Sequence, residues 1–148
     1  VGLIIKRKYK TNADFMAIYL DFIGYVKTEI ANNKTPIFTI IDNYISRDVN
    51  VFTKVLKVIN DNLKKDIVDT ENYPKECALV EKKRIQWLIS DIASIGKYDS
   101  ITEVNKLKSI EERVKIDGDL AATKYKKDGV IAFKLSVRIG IGIMIILC

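Results

Sequence analysis

Histidine occurs nowhere in this chain of 148 residues. That removes the usual general base near neutral pH, the Ser-His and Cys-His nucleophile pairs and the commonest metal ligand. Cysteine occurs only at Cys77 and Cys148. Two distant thiols make no disulfide framework, and a zinc site takes about four ligands; they fit a reducing compartment. No Gly-rich phosphate loop is present. The expectation is a protein with no catalytic residues, no cofactor and no metal. Breakers are scarce as well, with two prolines and seven glycines.

What remains is 48% hydrophobic and 30% charged, which excludes disorder and suffices for one domain with a real core. Long stretches of Lys, Glu, Ile and Leu with so few breakers predict an all-α chain, a bundle of antiparallel helices. The net charge of +6 is unevenly spread. Lys6, Arg7, Lys8 and Lys10 give the first ten residues +4, and residues 121–148 also carry +4, leaving −2 between them. The excess positive charge therefore sits at the two ends, each time beside an apolar segment.

Those ends read as membrane. The tail "VIAFKLSVRIGIGIMIILC" closes on ten residues, Ile139 to Cys148, without a polar side chain. A span takes roughly 20 residues, which is met from Val130 onward if Lys134 and Arg138 snorkel to the headgroups. A buried core helix would show an amphipathic stripe, and this run is apolar all round. The start, "VGLII", runs straight into "KRKYK" and reads as the last turn of a truncated hydrophobic segment. A cleaved signal peptide carries its charge before the apolar run. The expected organisation is the end of a membrane segment at 1–5, a helical domain at 6–128 and a membrane segment at 129–148. Basic residues on the inner side of both segments place the domain in the cytoplasm.

Between the ends, periodicity predicts five helices. The first starts with Thr11 or Asn12 as cap and runs to about Asn32, with Phe15, Ile18, Phe22, Tyr25 and Glu29 or Ile30 on its seam. Asn32 and Asn33 suit a left-handed end. Thr35 then suits an N-cap, with Pro36 at the first helical position, for a short helix over about 36–46. A third helix carries Phe52, Val55, Leu56, Ile59 and Leu63. The polar stretch "KKDIVDTENYPKEC" holds a loop or short helix. A fourth helix runs from about Pro74 to Ile95, with Ile85, Leu88, Ile92 and Ile95 inward, and Gly96 is placed to end it. "SITE", Ser100 to Glu103, is a capping box opening a long last helix. That helix carries Val104, Leu107, Val114, Gly118, Ala121 and Tyr125, with Glu111 at one seam position, and continues into the membrane tail, bent at Gly129.

Other candidate chemistry is weak. Glu111 with Glu112, and Asp117 with Asp119 around Gly118, are neighbours on a helix that point in different directions, and a solvated face explains them. "DGD" is a fragment of a calcium loop without its other ligands. "EKKRIQW", Glu81 to Trp87, has the composition of a nucleic-acid contact, but a charged outer face accounts for it, with Trp87 packed.

Two turns carry a family resemblance. "EIANNKTPI", Glu29 to Ile37, has Glu-Ile, four residues, Thr-Pro and an aliphatic. "SIGKYD", Ser94 to Asp99, stands in the place of a Leu-Gly-x-x-Asp turn, with Ile95 for Leu. Together with a charged helix leading into a short apolar end, they resemble the stage III sporulation protein AB family of endospore-forming bacteria. That family is similar to the inner-membrane platform protein F of type II secretion. The resemblance implies a non-enzymatic, membrane-anchored scaffold of the channel between mother cell and forespore. It implies as partners a stage III sporulation protein AA-type ATPase and other channel membrane proteins, a place in the mother-cell membrane around the engulfed forespore, and possible homo-oligomers, without nucleic acid. Its motif residues are Glu29, Thr35, Pro36, Gly96 and Asp99, in structural or interaction roles. A different class also fits the charge, a basic helical nucleic-acid-binding protein whose apolar tail is core. A third option is a small phage or secretion membrane protein of unrelated origin.

Overall fold

The computed structural model describes residues 2–65 and 78–129. All of its regular structure is helical: α1 (Gly2–Asn33), α2 (Ile37–Ile45), α3 (Val51–Lys64), α4 (Lys82–Ser94) and α5 (Ser100–Lys124), closed by one π turn over Tyr125–Gly129. The all-α class holds. The tail from Val130, Cys77, Cys148, Pro74 and most of the polar stretch before α4 lie outside the described residues. Among the described residues no helix is long and apolar enough to cross a membrane.

α1 begins well before Thr11 and Asn12, so neither is its cap. Lys and Arg are good helix formers and nothing breaks the run through Lys10. Asn12 is instead buried in mid-helix. Its Nδ2 donates to the carbonyls of Lys8 and Leu79, and its Oδ1 accepts from the Glu81 N–H. The buried face of α1 is also wider than the expected seam. Phe15, Met16, Tyr19, Phe22, Ile23, Val26 and Ile30 are buried, Ile18 and Tyr25 only partly so. The helix is covered from two sides, by α5 and by α2 with α3, so a single stripe undercounts it.

An aromatic cluster joins α1 to α2 and α3. The Phe52 ring lies 5.2 Å from Phe15 and 5.5 Å from Phe22, and Phe22 lies 5.1 Å from Tyr44. Offset and edge-on pairs of this kind each add about 1 kcal/mol beyond the area they bury. α3 starts on a capping box that the sequence reading overlooked. Asn50 Oδ1 accepts from the Thr53 N–H and Thr53 Oγ1 from the Asn50 N–H, each at 2.9 Å. Of its expected apolar residues Phe52, Val55, Leu56 and Ile59 are buried, and Leu63 is partly buried.

Contacts between α1 and α5 run in reverse order along the two helices. Ile30 meets Ser100, Lys27 pairs with Glu111 at 3.0 Å, Met16 lies against Gly118, and Lys124 sits over the Tyr9 ring. Leu107, Ile110, Val114 and Ala121 fill this seam, Ile110 taking the place expected for Glu111. α4 starts at Lys82, later than expected, because residues 78–81 form a short 3-10 turn and a bend held by Asn12. Its expected apolar positions Ile85, Leu88, Ile92 and Ile95 are all buried.

Candidate docking cleft at the two turns

The first turn joins α1 to α2. Glu29, in the last turn of α1, accepts from Asn33 Nδ2 at 3.1 Å and from Thr35 Oγ1 at 3.4 Å. The left-handed residue is Lys34, with φ +51°, while Asn32 and Asn33 remain helical. Thr35 does not cap α2. Pro36 holds the N-cap position with ψ 144°, its carbonyl accepting from the Ile40 N–H at 3.0 Å, and no side chain caps the helix. Proline fixes φ and brings no side-chain acceptor, and Thr35 lies one residue too early, turned back to Glu29.

The second turn joins α4 to α5. Gly96 takes a left-handed φ of +92°, as its position predicts, although α4 has already ended at Ser94 and Ile95 between them is extended. Asp99, rather than Ser100, caps α5 by accepting from the Thr102 N–H at 3.0 Å. Hydrogen bonds with the Thr102 side chain and then its backbone N–H hold the Asp99 carboxyl below its ordinary pKa. Glu103 closes no capping box. It folds back so that Oε1 accepts three successive N–H groups, those of Gly96, Lys97 and Tyr98, at 3.2, 3.1 and 3.0 Å. Glu103 is 2% exposed, and its other carboxylate oxygen, Oε2, is buried with no hydrogen-bond partner.

The two turns meet. Ser100 Oγ donates to the Ile30 carbonyl at 3.4 Å, and a cavity of about 420 Å³ lies between the turns. Thr35, Pro36, Gly96 and Asp99 line it together with Ile30, Lys34, Ile37, Ile95, Tyr98 and Glu103. Glu29 stands behind this wall, connected through Thr35. A second cavity of about 450 Å³ shares Pro36, Ile37, Ile95 and Gly96 and extends the groove past Phe38, Leu63 and Ile92. The sequence reading missed Glu103 as the centre of this site. One signal was available, since Glu103 falls in step with Leu107, Ile110 and Val114, and a carboxylate on an apolar stripe must find partners inside.

The other end of α1 gathers charge. Lys6, Arg7 and Lys10 share a surface hollow with Tyr125, and Lys124 stacks over Tyr9 at 5.2 Å. The first basic cluster and Lys124 of the second therefore lie at one end. From Lys8 to Ile30 the helix rises about 33 Å, which separates that end from the cleft.

Acidic groups elsewhere serve ion pairs. Arg84 joins Asp117 at 2.9 Å and Asn12 Oδ1 at 2.9 Å. Asp91 Oδ2 accepts from the Tyr19 hydroxyl and from Arg113 Nη2. Burial pushes the pKa of both the Tyr19 hydroxyl and the Asp91 carboxyl up. Trp87 is flanked by Lys83 and Arg113 of its own chain. No group of three or more Cys, Asp and Glu among the described residues could hold a metal ion. No protein family, curated protein or solved structure matches the chain.

Proposed function

We propose that this chain is a membrane-anchored, non-enzymatic scaffold. It would be an antiparallel helical bundle of the stage III sporulation protein AB type, docking a channel component such as the AA-type ATPase. One observation carries this reading. The two turn motifs behind the resemblance, about sixty residues apart in sequence, line a single cleft. The gathering of Lys6, Arg7, Lys10 and Lys124 at the far end of α1 supports the membrane part. Each basic residue near anionic headgroups adds about 1 kcal/mol of attraction, falling off within a Debye length. The cleft then points away from the bilayer toward cytoplasmic partners. Deletion of the gene is expected to stop sporulation after engulfment, and normal spore yield from a clean deletion overturns the proposal. Orientation has its own test, with Cys77 and Cys148 replaced beforehand. Lys97→Cys, in the second turn, should resist a membrane-impermeant thiol reagent in intact cells and react after lysis.

The same basic end, with Tyr9 and Tyr125 among its cations, favours nucleic-acid binding as the second reading. Affinity for anionic vesicles together with an unshifted DNA band at low salt supports the scaffold. A DNA shift that weakens steeply with salt supports the alternative.

A further inference from the structure

Glu103 is a carboxylate with two unlike oxygens. Oε1 is saturated by three backbone N–H groups and holds the second turn in shape, whereas Oε2 accepts nothing although the residue is 2% exposed. A buried carboxylate oxygen without a donor is costly, and a cationic donor relieves that cost best. Glu103 lines the cavity between the turns, whose walls on either side are the apolar Ile30, Pro36, Ile37 and Ile95. Asp99, on the same cavity, is held ionised to lower pH than usual by its hydrogen bonds with the Thr102 side chain and backbone, so the cleft carries two negative groups against the single cation of Lys34. The adjoining groove past Phe38 and Ile92 gives room for apolar neighbours of an inserted side chain.

We propose that this cleft receives a basic side chain, arginine or lysine, flanked by aliphatic residues on a partner protein, whose approach draws Glu103 Oε2 out of its enclosed position to accept from the cation. The inference rests on the scaffold reading and names the chemistry of the segment that the scaffold docks. Both parts of the site are needed. The apolar walls supply area and exclude water, and the carboxylate selects charge.

The test uses the full chain in detergent micelles, labelled with nitrogen-15, and three capped peptides, Leu-Arg-Leu, Leu-Lys-Leu and Leu-norleucine-Leu. The amides of Gly96, Lys97 and Tyr98 report directly, since they bond the other oxygen of the same carboxylate. Saturable shifts at these three amides with the charged peptides are expected, with the norleucine peptide about tenfold weaker or more. Glu103→Gln keeps an acceptor for the three N–H groups and exchanges Oε2 for an amide nitrogen. It should leave the spectrum folded and erase the preference for charge. Equal binding of all three peptides, shifts confined to other surfaces, or an unresponsive cleft whose Oε2 is met only by bound water overturns the proposal. Any of these outcomes beside a sporulation block in the deletion strain leaves the scaffold standing and removes only this occupant. Normal sporulation removes the scaffold whatever the peptides do.

Discussion

Replacing Gly96 with valine tests the turn on which the cleft depends. At φ +92° an L-residue meets its own carbonyl, a strain of about 1–2 kcal/mol that is largest for β-branched side chains. No heavy atom lies within 4 Å of a Cβ built there, so overlap with neighbours adds nothing. Stiffening the unfolded chain returns about 0.5 kcal/mol. The balance is a loss of about 0.5–1.5 kcal/mol, read as a lower urea midpoint at unchanged slope. The chain cannot escape by returning to negative φ, because that swings the Gly96 N–H away from Glu103, 3.2 Å distant. In a Glu103→Ala background this tether is gone, so the valine should cost clearly less, and the two changes should be non-additive. A Gly96→Val protein with an unchanged midpoint, or full additivity with Glu103→Ala, refutes the reasoning. The mirror experiment is Lys34→Gly, which relieves a non-glycine residue at φ +51° and should stabilise by on the order of 1 kcal/mol.

Two further caps can be compared in the same urea assay. Thr35→Ala should be nearly silent, whereas Asn50→Ala, which removes half a capping box, should cost about 1 kcal/mol. Gly118→Ala should stabilise by about 0.5–1 kcal/mol. The new Cβ would stand 3.5 Å from Met16 Cβ, an ordinary contact, while helix propensity improves; a lower midpoint would show that α1 and α5 cannot accept it. The folded Asp99 pKa lies below the ordinary 3.8, so its contribution is full above that pH and lost as pH falls below it. Asp99→Asn keeps a cap acceptor without a titrating group, so its stability deficit against the natural chain should shrink as the pH drops below about 4, in urea melts across that range.

Helix existence and inward faces were legible because they follow from periodicity within one segment. α3 and α4 bury the apolar positions that their spacing marks, Leu63 only in part, and Gly96 turns where a glycine after an apolar stripe should. What failed depended on a register of one residue, decided by partners far along the chain. Asp99 caps α5 because Glu103 is drawn inward to three amides, which leaves Ser100 to reach Ile30. Lys34 rather than Asn33 turns left-handed, with Asn33 held in the helix by Glu29. Asn12 looks like a cap in sequence. Its true partners, Leu79, Glu81 and Arg84, are about seventy residues away.

The same long-range polar contacts decide where the second turn sits. α4 leads into that turn, and polar clamps tie it to its neighbours along its length. Arg84 bridges Asn12 of α1 and Asp117 of α5 near its start, and Asp91 bridges Tyr19 and Arg113 beyond the middle. At its end the Ser94 carbonyl accepts from Lys106. A buried ion pair adds little net stability, since desolvation offsets much of its Coulomb energy, yet removing one partner leaves the other stranded. Arg84→Met alone should therefore cost about 3 kcal/mol, because Asp117 loses its donor and Asn12 Oδ1 keeps only the Glu81 N–H. Arg84→Met with Asp117→Leu should recover most of that loss. In the hypothesis that the clamp specifies position, the double variant melts near the natural chain but moves α4. Amide shifts at Gly96, Lys97 and Tyr98 should then change although the substitutions lie about 18 Å up the helix, at 1.5 Å per residue. A recovered melting point with an unaltered turn spectrum would mean that apolar packing alone places α4 and that the clamp has no part in shaping the cleft.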